Sequence, residues 1–293
     1  MTTAPALRSH QNRPPAATLA SVPDTEAITT IAVRSLLQEV ETWPKPGLVS
    51  YVDPGSHADM NAGTFRRSAA AIQPYLRALA EAGAQACAMG RLRIIGLEAE
   101  AAMLAATGGV NTHRGAIFGL GLLCAAAGAK ICGRADPATR LGAVVARLWG
   151  SNILDGPLLL HSHGGEARRR YGAGGARLEA AQGFPSVYEI GLPALQRGVL
   201  MASGDPEAAR VQACFALIAA LQDTNLLHRG GPSGLRFAQR AARGFLDDGG
   251  VGRRGWRERA HAVHRAFVAR RLSPGGSADL LAMSLFVQAW EAS

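Results

Sequence analysis

The chain has 293 residues, 48% of them hydrophobic, enough to bury a large core in one or two domains, and carries a formal net charge of +9. No run approaches 18 consecutive apolar residues, the richest being the glycine-studded stretch 116–129, so a membrane-spanning reading is set aside. Aromatic content of 5% disfavours a base-stacking surface, and no nucleic-acid partner is expected, whereas a positive field still suits polyphosphate metabolites.

The first 22 residues hold two arginines and three prolines without a continuous apolar segment, and are expected to be a disordered tail before a single domain at 23–293. A first helix is expected over Asp24 to Thr42, capped by Asp24 and ended before Pro44. Others follow at about Thr64 to Gly83, with a possible bend at Pro74, at about Arg93 to Ala106, and from His113 to Gly128. Asp136-Pro137 and Asp205-Pro206 each place an acceptor at a cap and proline at the first helical position, so both predict helix starts. Ser277 reads as the cap of the last helix, with Asp279 in its first turn. Strand-like alternation never dominates, and the expected class is all-α, one globular multi-helix domain with glycine-rich active-site loops.

Cys87, Cys124, Cys132 and Cys214 stand singly, form no CxxC and read as small core hydrophobes of a reducing, cytoplasmic compartment. The basic residues are 29 arginines and only two lysines, Lys45 and Lys130, so Lys45 stands out in a segment rich in proline, glycine and acids.

Five connecting segments combine glycine with charged residues at predicted helix ends: 44–61, 107–115, 161–185, 223–231 and 272–279. Exposed N–H groups at helix termini suit anions, so these segments point to one site assembled from distant parts of the chain.

In the first segment Lys45 is placed to meet phosphate, with Asp53 and Asp59 binding Mg²⁺ or orienting a nucleophile beside His57. The alternative is a surface loop with capping acids and a solvated lysine. Arg66 and Arg67 oppose a helix dipole unless a phosphate or a carboxylate compensates them. Glu98 and Glu100 point about 200° apart on a helix, so at most one serves a pocket. TGGVNTHRG brings Asn111, His113 and Arg114 to a helix N-terminus, without Walker A spacing.

The third segment holds His161, His163 and Glu166, which lack a third zinc ligand, then Arg168, Arg169 and Arg170 beside YGAGG, and Arg177 and Glu179. DTNLLHRGG supplies Asp223 and Asn225, hard ligands for Mg²⁺ if the helix is interrupted after Leu227, and Arg229 for phosphate; a polar helix C-terminus is the bland reading. His261 and His264 are expected on the surface. With no GxSxG elbow or dinucleotide fingerprint, transfer between phosphate-bearing molecules is favoured over covalent acyl chemistry.

The strings PKPGLVSYVDPGSHADM, GLEAEAAMLAATGGVNTHRGAIFGLG, GGARLEAAQGFPSV, DTNLLHRGG and LSPGGSADLLA occur in the order found in the triphosphoribosyl-dephospho-coenzyme A synthase family. The chain resembles that family over roughly residues 30–290, most closely the form serving malonate decarboxylase, and is also similar to the form serving citrate lyase. It departs at Arg114, where the family often has lysine, and at Leu178, where many relatives have glycine.

The resemblance implies ATP and 3'-dephospho-coenzyme A as substrates, a divalent metal, release of adenine, and a product passed to an acyl-carrier-protein transferase. On that footing Asp53, Asp59, Asp223 and Asn225 are the expected Mg²⁺ ligands. Lys45, Arg66, Asn111, Arg114, Arg177, Glu179 and Arg229 are the expected substrate contacts. His57 or Glu98 is expected to accept the hydroxyl proton and His113 to protonate the departing base. A Mg²⁺-dependent nucleotide or ADP-ribosyl hydrolase is the competing enzyme reading, and a basic nucleic-acid-binding helical protein the third.

Overall fold

The computed structural model describes residues 25–157 and 170–292, and among them all regular structure is helical. We number the α-helices in chain order as α1 (Thr25–Glu41), α2 (Ala62–Ala84), α3 (Met89–Thr107), α4 (Arg114–Ile131), α5 (Leu141–Asp155), α6 (Gly175–Ala181), α7 (Leu192–Met201), α8 (Pro206–Ala220), α9 (Thr224–Asp247), α10 (Trp256–Ala269) and α11 (Gly275–Glu291). A π-helical turn at Val187–Gly191 leads into α7. The expected tail, and His161, His163, Glu166, Arg168 and Arg169, lie outside the described residues.

The fold is organised around α4. By length and composition this helix could cross a bilayer, but 72% of it is buried in the protein, flanked by α2, α11, α5 and α1. Its crossing with α2 is close because two glycines remove side chains where backbones meet. A Cβ on Gly83 would lie 1.9 Å from the Ala125 carbonyl oxygen, and one on Gly128 1.9 Å from that of Ala80. The seam is held by dispersion between backbones and small residues, and a methyl group at either glycine has no space.

Most predicted helices form within a few residues of the expected bounds, and α2 passes through Pro74 without ending. Asp205 caps α8 by accepting the Ala208 amide at 3.0 Å, with Pro206 at the first position as its sequence implies. Three expectations are corrected. Asp136 closes only a local turn, accepting the Ala138 amide at 2.8 Å, and α5 begins later, at Leu141. Ser277 is inside α11, not its cap, since the helix starts at Gly275.

The third correction concerns 223–231, which begins a helix where an end was expected. Asp223 is the N-cap of α9, and the break falls at Gly231 (φ 58°, ψ −166°), just before Pro232, not after Leu227. Cys124 and Cys214 are buried as expected, and burial pushes the Cys214 thiol up to about 12; Cys87 is half-buried and Cys132 exposed.

Candidate active site

A cleft of about 890 Å³ is bounded by the 44–61 loop, α1, α3, the N-terminal ends of α4, α9 and α11, and the short helix α6. The N-termini of α4, α9 and α11 therefore meet at one place, although about 160 residues separate the first from the last. His57, Asp59, Asn111, His113, Arg114, Arg177, Glu179, Asp223, Asn225 and Arg229 all line the cleft. Lys45, Asp53, Arg66 and Glu98 do not.

Each of these four has a physical reason for its position. Lys45 is fully enclosed, and its ammonium donates to Glu39 Oε1 at 2.5 Å and to the Glu39 carbonyl at 2.6 Å, so it is a buried ion-pair partner and not a phosphate contact. Glu39, which drew no attention in the sequence, is the partner that reaches the cleft. Asp53 accepts the Gly55 amide at 2.7 Å and faces His264 Nε2 at 3.2 Å.

His264 is itself buried, contrary to the surface position expected, and its Nδ1 donates to the Lys45 carbonyl at 2.6 Å. Arg66 is exposed near the start of α2. Glu98 is exposed on the outer side of α3, whereas Glu100, two residues on and so on another face, enters the cleft and receives Arg114 Nε at 2.8 Å.

The 44–61 loop is pinned against the segment that precedes α11. Ser56 donates to the Leu272 carbonyl at 2.6 Å, and Arg229 spans the carbonyls of Ser56 and Arg271 at 3.1 and 3.2 Å. The same guanidinium donates to His57 Nδ1 at 3.2 Å, leaving the Nε2 hydrogen of His57 for Ser273 Oγ at 2.9 Å. Burial first, and the Arg229 charge second, lower the His57 pKa to about 4. His57 is therefore neutral with its basic nitrogen occupied, which removes it as a free proton acceptor.

His113 is the N-cap residue of α4 and is buried. Thr112 donates to Ser68 Oγ at 2.7 Å, so the Ser68 hydrogen is directed to His113 Nδ1 at 2.6 Å. The ring's own proton then sits on Nε2, which is buried and has no hydrogen-bond partner among the described residues. Burial, reinforced by the Lys45 charge, lowers the His113 pKa to about 4, so this ring offers a neutral N–H and not an acidic proton.

Asp223 has both oxygens engaged. Oδ1 accepts the amides of Asn225 and Leu226, and Oδ2 accepts the amide and hydroxyl of Ser277. Glu179 is similarly committed to Ser186, accepting its amide at 2.7 Å and its hydroxyl at 3.0 Å. Arg177 caps the end of α5 by donating to the carbonyls of Ile153, Leu154, Gly156 and Pro157. These three predicted contacts thus build the walls of the cleft.

Asp279, read from the sequence only as a helix-dipole residue, lies in the cleft against the backbone of Gly115 and Ala116 at the start of α4. A Cβ on Gly115 would lie 2.0 Å from its Oδ2, so the close approach requires glycine there. Burial, then the charges of Glu39 and Asp223, hold its carboxyl well above the usual range. The signal that could have found it is its position in the SPGGSAD string, which packs two glycines before a carboxylate at a helix start.

The four expected Mg²⁺ ligands do not form a donor set. Asp53 points away to His264, Asp223 is saturated, and no group of three histidine, cysteine, aspartate or glutamate residues suited to a metal occurs among the described residues. The cleft instead carries an exposed acid, Asp59, and a half-buried base, Arg114, at its rim, and buried carboxylates within.

Residues 25–293 match the family model described as ATP:dephospho-CoA triphosphoribosyl transferase. The chain is 42% identical over 264 residues to a probable 2-(5''-triphosphoribosyl)-3'-dephosphocoenzyme-A synthase of Pseudomonas putida, covering 88% of this chain and 92% of that one. Proteins of the same description from Pseudomonas fluorescens (strain Pf0-1) and Pseudomonas aeruginosa (strain UCBPP-PA14) are 41% and 42% identical, each covering 89% of this chain and 91% and 90% of their own. No solved structure matches significantly.

Proposed function

Because the chain belongs to the ATP:dephospho-CoA triphosphoribosyl transferase family, we propose that the cleft holds ATP by its triphosphate at the basic rim and brings the ribose C1′ down to the buried carboxylates. The protein is a triphosphoribosyl-dephospho-CoA synthase, with ATP and 3'-dephospho-coenzyme A as substrates. The observation that carries the placement is the meeting of three helix N-termini and the 44–61 loop, with Arg114 and Arg229 beside them, on one cleft whose interior is acidic.

Breaking the bond from C1′ to adenine develops positive charge on the ribose, which an acidic interior stabilises while keeping the triphosphate at the rim. Arg114 and Arg229 are the predicted phosphate contacts left facing the cleft, each already held in place by a partner. The unsatisfied Nε2–H of His113 suits an acceptor nitrogen of the purine, a hydrogen bond that strengthens as the base departs. Mg²⁺ is most often bound through one or two carboxylates together with substrate phosphates. Asp59, mostly exposed at the rim, is the carboxylate of the expected set with room for an ion arriving on ATP.

We assign the product to the prosthetic group of malonate decarboxylase, handed on to an acyl-carrier-protein transferase, on the resemblance of the linked motifs to that form. Purified protein given ATP, Mg²⁺ and dephospho-coenzyme A, read by mass spectrometry, should yield free adenine and the ribosylated coenzyme together. Adenine formed at full rate without dephospho-coenzyme A would support the hydrolase instead.

A further inference from the structure

Among the described residues six carboxylates line the cleft, and five of them are accounted for. Glu39 holds the Lys45 ammonium, Glu100 holds Arg114, Glu179 holds Ser186, and Asp223 accepts four donors from α9 and α11. Asp59 is mostly exposed at the rim beside His57, at 3.8 Å. Among the described residues, Asp279 is the inner carboxylate held by neither an ion pair nor a side-chain donor, meeting the N-terminal backbone of α4 and keeping part of its surface open to the cavity.

The two side chains expected to take the hydroxyl proton are unsuited to it, Glu98 by facing outward and His57 by its occupied Nδ1. We infer that Asp279 is the catalytic residue that accepts the proton of the attacking 2′-hydroxyl of dephospho-coenzyme A. The inference rests on the synthase reading of the cleft. In the step, a lone pair of the 2′-oxygen forms the new bond to C1′ as the C1′–N9 bond breaks, and that bond's electron pair leaves with adenine. The hydroxyl proton passes to the Asp279 carboxylate, adenine takes a proton from water, and Asp279 returns its proton to water when product leaves.

The surroundings suit this role. The groups facing Asp279 are Glu39 from α1, itself backed by Lys45, Asp223 from the start of α9, and the α4 N-terminus with His113 at its cap. Burial, with two nearby acids, raises the carboxyl above the ordinary range, which makes it a better proton acceptor than a surface carboxylate. The α4 amides limit that rise and hold the side chain in one place.

The test is Asp279→Asn, which keeps shape and the ability to accept the Ala116 amide, assayed beside the wild-type enzyme for adenine release over a range of pH. Loss of a general base should lower kcat by roughly 10²–10⁴-fold with ATP affinity changed little. The wild-type acidic limb, where rate falls as Asp279 is protonated, should vanish in the variant. Unchanged kcat, or a loss confined to ATP affinity with the acidic limb intact, overturns the assignment. Wild-type protein that makes no joined product overturns the synthase reading itself and is a distinct outcome.

Discussion

Ser277 donates both its amide and its hydroxyl to Asp223 Oδ2, at 2.8 and 3.0 Å, while Asp223 Oδ1 receives the Asn225 and Leu226 amides at 2.9 and 3.3 Å. One carboxylate thus terminates two helices, α9 at its own N-cap and α11 from outside, and locks their first turns side by side at the cleft. Asp223→Ala should destabilise the protein by about 2–4 kcal/mol, two caps' worth, measured as a shift in urea midpoint. Ser277→Ala should cost about 0.5–1.5 kcal/mol, and the double variant less than the sum, because the two share one interaction.

Lys45 and Glu39 make a second buried relationship, with Lys45 fully enclosed. Lys45→Met leaves the Glu39 carboxylate unpaired and should cost about 3–5 kcal/mol in chemical denaturation. Adding Glu39→Gln should recover much of that loss. A phosphate-binding lysine would behave differently, changing ATP affinity and leaving stability nearly untouched.

The buried acids and histidines give opposed pH dependences. Glu39, Asp223 and Asp279 all have carboxyls raised by burial, so the folded state holds their protons more tightly than the unfolded chain and stability falls as pH rises through the raised values. His57 and His113 are lowered from 6.5 to about 4, so they contribute stability above 6.5 that is lost as pH falls toward 4. Asp279→Asn removes one of the acids and should be more stable than wild type near neutrality by about 0.5–2 kcal/mol. The difference should shrink on acidification, as thermal melts across pH would record.

Arg229 joins the 44–61 loop to the start of α11 through two carbonyls and His57. Arg229→Lys cannot reproduce that fork, so it should behave like Arg229→Ala. Both should raise KM for ATP and lower kcat together, and limited proteolysis should show faster cutting near Tyr51 to His57.

Glu98 and Glu100 offer a direct comparison on one helix. Glu98→Gln should change stability by less than about 0.5 kcal/mol and leave turnover unaffected. Glu100→Gln frees Arg114 at the cleft rim and should raise KM for ATP by several-fold, read by initial rates.

The all-helical class, the positions of most helices and the segments that surround the cleft were legible in the chain, because 3.6-residue periodicity, proline and glycine are local properties. The family resemblance was legible for a related reason, since linked motifs survive in order. The roles of single residues were not. Lys45 looked like a phosphate ligand because its rarity was visible while Glu39, six residues earlier, looked like any helical glutamate.

Asp279 looked like dipole compensation for its own helix, and only the docking of α11 against α4 brings its carboxylate into the cleft against the α4 backbone. Choosing between Glu98 and Glu100 needed the rotation of α3, which its neighbours set. Composition and periodicity thus determine which elements form and which loops gather charge. Burial and partner choice, which decide whether a charged group is satisfied or left open to chemistry, exist only once distant helices have packed together.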